Sequence, residues 1–255
     1  MNSLEIKNKK GTILTASNWK EGFIEVDEAR HWEEGRSAER LANDFSNGNP
    51  SSGEKSLRDV IKLFLNTDDI TWRKAYIEHG SRFDSYRRPR MQDLAIWGDA
   101  NGKSFFIGVE AKVDEPFGSR NVKEQKEYIE SLKRNSKAGD RLKELAGDFL
   151  TGVDKDECGE IRYQLLYYLA GSFREDAGII IMPVFAYHSD KYDSQKGHDN
   201  YAAYKYFMEK LGFTKIEGNV KEMTIAYFKE IRAYDRSRRT IIKKPVYSCY
   251  FEKTK

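Results

Sequence analysis

Cysteine is nearly absent from this chain. The two that occur, Cys158 and Cys249, are far apart and form no ligand-spaced pair. That argues against a disulfide scaffold or a zinc site and suits a reducing cytoplasm. The histidines, His31, His79, His188 and His198, share no metal-ligand spacing and read as structural or surface residues. No apolar run is long enough to span a membrane, and no segment reads as a signal peptide. There is no internal repeat and no recognisable ATP or sugar motif. An excess of one charge sign is missing too: 44 Lys and Arg against 41 Asp and Glu leave a formal charge of +3. The chain is no polycation, so any nucleic-acid surface must come from a local basic patch.

What is present is a polar globular composition, with 33% charged and 13% aromatic residues over 255 positions, enough for one large domain. Its most informative stretch is Met91 to Gly118, MQDLAIWGDANGKSFFIGVEAKVDEPFG. Asn101-Gly102 is a two-residue hairpin signal, because a type I′ turn needs positive φ at both positions. Outward from that turn, Ala100 faces Lys103, Ile96 faces Ile107, Leu94 faces Val109 and Asp93 faces Glu110. Alternation puts Leu94, Ile96, Phe105, Ile107 and Val109 on one face as core. The other face carries Asp93, Glu110 and, two residues on, Lys112. Opposed carboxylates repel unless one is protonated or a cation lies between them. A hard divalent cation such as Mg²⁺ prefers carboxylate oxygens. The stretch Asp99-Ala-Asn-Gly offers an alternative turn, and a slip of one residue would part the two acids.

Elsewhere, Gly11 to Thr15 and Gly22 to Val26 read as short strands. Helices are expected from Ser37, with Ser37 as cap and Leu41, Ala42 and Phe45 as an apolar stripe, and over 56–66. A strand runs from Trp72 to Phe83. Residues 119–150 are charged and largely helical, 160–172 form an apolar helix, and Gly178 to Tyr187 is a buried strand in which Pro183 implies a bulge or an end. Asn200 to Leu211 is helical, 220–231 is strand or helix, and 245–252 is a final edge strand. The order predicts an α/β fold with a mixed central sheet flanked by helices.

Asp93, a short hairpin and then Glu110-Ala111-Lys112 resemble the PD-(D/E)XK nuclease superfamily, the restriction-endonuclease-like fold. VEAKVDEPFG with the later RYQLL is similar to a group of bacterial proteins described as restriction-type nucleases. Gln92 stands where that superfamily often has proline. The resemblance implies a single nuclease-like domain over 1–255. Its core would lie at about 37–118 and 160–190, with a helical insertion at about 119–159 and a basic C-terminal extension at about 198–255. It further implies that Asp93, Glu110 and the carbonyl of Ala111 bind Mg²⁺ or Mn²⁺, and that Lys112 orients or deprotonates a water for in-line phosphodiester hydrolysis. The expected activity is a DNA endonuclease of restriction or defence type, with RNA still open as substrate. Cleaving both strands would call for two active sites and hence a homodimer. The alternative is a non-catalytic nucleic-acid-binding module on the same fold. On composition alone, opposed Asp, Glu and Lys also read as a surface salt-bridge cluster.

By the same resemblance Gln164, with Arg162, is the polar residue that points at the site from the helix after the lysine strand; otherwise both lie on its solvated edge. Glu39 is either a first-helix metal ligand or an acid favoured by its helix dipole. Glu78 is its rival, and Glu115 follows the motif as a ligand, a cap or an ion-pair partner. Arg87, Arg88 and Arg90 lead into Asp93 and are placed to hold phosphates. Arg236, Arg238 and Arg239, with Arg232, Tyr234, Lys243 and Lys244, make a second basic cluster. Both clusters also read as solvated surface.

Overall fold

The structure is a computed structural model that describes residues 2–25, 32–84, 89–113, 115–131, 137–188, 193–235 and 239–253. In chain order the elements are β1 (Ile6–Lys7), α1 (Trp19–Ile24), α2 (Ser37–Ser46), α3 (Ser52–Leu65), β2 (Ile70–Ser81), β3 (Arg90–Ala100) and β4 (Lys103–Lys112). Then follow α4 (Val122–Ser131), α5 (Ala138–Phe149), α6 (Lys155–Glu160), α7 (Tyr163–Arg174), β5 (Ile179–Tyr187), α8 (Ser194–Lys210), β6 (Thr214–Ile216), β7 (Met223–Asp235) and β8 (Thr240–Lys253). Among the described residues no helix is long and apolar enough to cross a membrane.

Local chemistry accounts for the elements that frame the hairpin. The Ser51 hydroxyl accepts the Glu54 N–H at 3.3 Å and starts α3. Leu57, Val60, Ile61 and Phe64 form its buried stripe, and Asn66, in the left-handed region, ends it. The hairpin turns at Asn101 and Gly102, with φ of 48° and 72°. Its ladder pairs Ala100 with Lys103, Ile96 with Ile107 and Leu94 with Val109, as the turn chemistry predicts.

All strands join one sheet in the order β1-β2-β3-β4-β5-β8-β7-β6. Strands β2, β3 and β4 are antiparallel. β5 lies parallel to β4, and β8 lies parallel to β5. Both faces are covered. α2 and α3 pack on Leu94, Ile96, Phe105, Ile107 and Val109. On the other side α5, α7 and α8 bury Ala95, Trp97 and Phe106. The alternation therefore marks two cores rather than one core face, which explains why β5 is apolar throughout.

Several expectations are corrected. Residues 19–24 are helical, so Gly22 to Ile24 are not strand; Trp19 and Phe23, four apart, bury one face of that turn. Arg36, not Ser37, holds the N-cap position of α2. β8 is an interior strand between β5 and β7, so the C-terminal segment completes the sheet instead of edging it. Its end is tied down by Lys253, whose Nζ donates to Ser56 Oγ at 2.7 Å and pairs with Glu222 at 3.1 Å. Pro183 neither ends β5 nor shifts its register. The β4–β5 ladder is merely interrupted beside it, and the Tyr168 hydroxyl reaches the carbonyls of Gly108 and Pro183 there.

Gly102→Ala forces a Cβ into the left-handed region. It is expected to cost about 1 kcal/mol and to lower Tm by about 2–4 °C for a chain of this size. Calorimetry checks this, and an unchanged Tm would count against the turn assignment.

Candidate functional site

β4 delivers Glu110 and Lys112 to the interior; their side chains are 2% and 9% exposed. Glu110 faces α7. Its Oε1 accepts from Gln164 Nε2 at 2.6 Å and from Lys112 Nζ at 2.8 Å. Its Oε2 is held by the guanidinium of Arg90, from the first residue of β3. Burying a carboxylate costs several kcal/mol unless it is paired, and here three donors meet one acid. Arg90 is itself buried and lies against the rings of Tyr167 and Tyr168, at 5.2 and 5.7 Å. Lys112 Nζ stands 5.7 Å from the ring centre of Phe117.

The two halves of the motif meet physically. Gly118, at φ 66°, packs so closely that a Cβ there would lie 3.3 Å from Gln164 Cβ. The VEAKVDEPFG loop is thereby seated on the RYQLL helix. α7 is fixed by the burial of Leu165, Leu166, Tyr168, Leu169 and Phe173, which leaves its N-terminal turn beside Glu110.

Asp93 and Glu110 are not a regular ladder pair. The regular β3–β4 pairing ends at Leu94 and Val109. Gln92 bonds Ser172 of α7 at 3.2 Å, whereas Leu94 packs in the core beneath α2 and α3. Residues two apart thus lie on opposite faces, and the alternation slips at Asp93, beside Glu78 with φ 48°. The Asp93 carboxylate turns into the seam between β3 and β4 and accepts the Ala111 N–H at 2.7 Å. Its other side opens on a cleft of about 520 Å³ that Ile77, Glu78, Glu115, Arg36, Leu41 and Lys196 help to line. The sequence register has Asp93 directly facing Glu110; the structure seats its carboxylate on the N–H of the next residue, Ala111.

Electrostatics single out the same residues. Burial pushes the Asp93 carboxyl above its usual range, against the pull of Lys112 and Arg90. Burial pushes the Lys112 ammonium below its usual range, with Glu115 and Asp93 opposing. Glu115 acts on both and lines the cleft, so it belongs to the cluster. Asp93, Glu110 and the Ala111 carbonyl are oxygen donors of the kind a hard divalent cation takes, and the Arg90 guanidinium already stands at Glu110 as a positive charge. Among the described residues no three His, Cys, Asp or Glu side chains converge to hold a metal ion.

Other expected residues are placed elsewhere. Glu39 accepts the Gly35 N–H at 2.6 Å, closing the start of its own helix, and lines a different groove. Arg162 is the N-cap of α7 and makes no side-chain capping bond. Arg90 is buried against Glu110, so it is not a surface phosphate ligand; an unpaired Glu110 would be too costly to bury. Arg87, Arg88, Arg236 and Arg238 lie outside the described residues, as does His31. Arg239 is exposed at the start of β8. Glu110 is level with Tyr250 through Val184, so Arg239 lies about 35 Å away along the strand. Arg239 therefore does not share a wall with the carboxylates. Arg90 as a partner of Glu110 had no signal in the sequence, because strand alternation misplaces it once the slip at Asp93 is unknown.

Two stability measurements test this arrangement. Glu110→Ala leaves Arg90 and Lys112 buried without their acid and is expected to cost about 3–5 kcal/mol in urea unfolding. Asp93 behaves oppositely. Its folded value lies above the ordinary 3.8, so the folded state binds more protons between the two values and stability falls as pH rises through that window. Above it the penalty is fully present, and Asp93→Asn should raise the unfolding midpoint at neutral pH.

No curated protein and no solved structure matches the chain. One family model, described as Domain of unknown function (DUF6946), matches residues 12–235. That match spans the hairpin, the cleft and α7, and the chain belongs to the DUF6946 family.

Proposed function

We propose that this chain is a metal-dependent endonuclease that hydrolyses phosphodiester bonds in DNA, with Mg²⁺ or Mn²⁺ as cofactor. The observation that carries the reading is the meeting of Asp93, Glu110 and Lys112 at one seam of the sheet, with Gln164 bonded to Glu110. The succession α3, β2, β3, β4, α7, β5, with three antiparallel strands and then a parallel one, also supports it. That is the order expected of a restriction-endonuclease-like core.

In this reading Asp93, Glu110 and the carbonyl of Ala111 would hold the cation. When bound, it polarises the scissile phosphate and acidifies a water. Lys112, whose neutral form burial favours, takes the proton of the attacking water. Gln164 keeps Glu110 aimed at the seam. Attack in line with the 3′-oxygen forms the new P–O bond and breaks the P–O3′ bond; the departing 3′-oxygen takes a proton from water, leaving a 5′-phosphate and a 3′-hydroxyl. RNA offers the same bond, and a cut through both strands requires two copies of the site, as in a homodimer.

A non-catalytic nucleic-acid-binding module is favoured by one observation: Glu110 is closed to solvent and already neutralised by Arg90. Plasmid DNA and RNA incubated with Mg²⁺ or Mn²⁺ separate the two readings. Lys112→Ala and Asp93→Ala are each expected to slow cleavage by about 10²–10³-fold, and chelation should abolish it. Salt-sensitive binding with no cleavage of either substrate supports the module instead.

A further inference from the structure

Arg90 is more than a neighbour of the site. Its guanidinium is buried, sits on Glu110 Oε2 and lies against the rings of Tyr167 and Tyr168. Of its donors, Nε is buried with no hydrogen-bond partner. The guanidinium is thus held by one carboxylate and two ring faces. Glu110's other oxygen is occupied by Gln164 and Lys112, so both oxygens are covered and a cation on Oε2 would have to displace Arg90. A guanidinium and a divalent cation cannot share that oxygen without strong repulsion in a buried setting.

We infer that Arg90 is a built-in counter-ion of Glu110 that competes with the divalent cation and must leave the carboxylate before the cation loads. This rests on the metal-binding reading above. Arg90 acts through Glu110 and is a positioning residue. With the cation absent it keeps the buried acid neutralised and the site closed. Loading then depends on a displacement. By linkage, whatever draws Arg90 off Glu110 tightens the cation, and the cation weakens the ion pair by the same factor.

The test is Mn²⁺ binding by calorimetry without nucleic acid, on the full chain. Arg90→Gln and Arg90→Leu, each shown folded by circular dichroism, are expected to bind Mn²⁺ about tenfold tighter than the native protein. Glu110→Gln should lose that binding. On the native protein itself, the buried Arg90 Nε–H should give an exchange-protected NMR resonance that Mg²⁺ abolishes; this readout stands even if the variants fail to fold. Equal or weaker binding in the Arg90 variants, or a resonance untouched by Mg²⁺ in a protein that binds it, overturns the competition and leaves the metal site standing. If native protein and variants all fail to bind, both readings fall together.

Discussion

A buried carboxylate is the constraint around which this fold is arranged. Glu110 lies on an interior strand covered by helices on both faces, where an unpaired ion would be too costly to keep. Its three donors come from three elements: Arg90 opens β3, Lys112 closes β4 and Gln164 sits in the first turn of α7. Each must be held in register with the others. The parallel β4–β5 pairing and the crossover helix between them secure that, because α7 cannot shift along the sheet without unpacking Leu165, Leu166 and Phe173.

Asp93 is held in a different way. It gains its place from a break in strand alternation, facing Glu78 in the left-handed region, and its bond is to a backbone N–H rather than to a cation. Its folded ionisation is disfavoured, as is that of Lys112. A region that tolerates a left-handed residue inside a strand, a disfavoured anion and a disfavoured cation close together has not been optimised for stability. Perturbed groups beside a cleft are a common mark of chemistry. Lys253 offers a contrast, since it is buried but satisfied by Ser56, Asp44 and Glu222 and serves to fasten the last strand.

Much of this is legible in the sequence. Asn101-Gly102 dictated the turn because few other residues adopt positive φ at two successive positions, and the ladder followed as far as Leu94 and Val109. The stripes of α3 and α7 and the apolar run of β5 announced their burial. Gln164 was expected at the site by the family resemblance, and it does reach Glu110. What failed did so where local pattern competes with tertiary demand. The basic residues before Asp93 read as a phosphate surface, yet Arg90 is drawn inward by a buried acid. The final strand read as an edge, yet β7 covers it.

The sequence by itself determined the hairpin, its turn, the helix stripes and the nearness of Asp93, Glu110 and Lys112, because these depend on φ preference and a period of two along a strand. Tertiary structure decided which way Asp93 turns, what neutralises Glu110 and how far Arg239 lies from both. Those depend on a slip of alternation at one residue, on which helix covers which face and on the order in which distant strands join the sheet. None of these leaves a trace in spacing, because each is settled by desolvation and packing between segments remote in the chain.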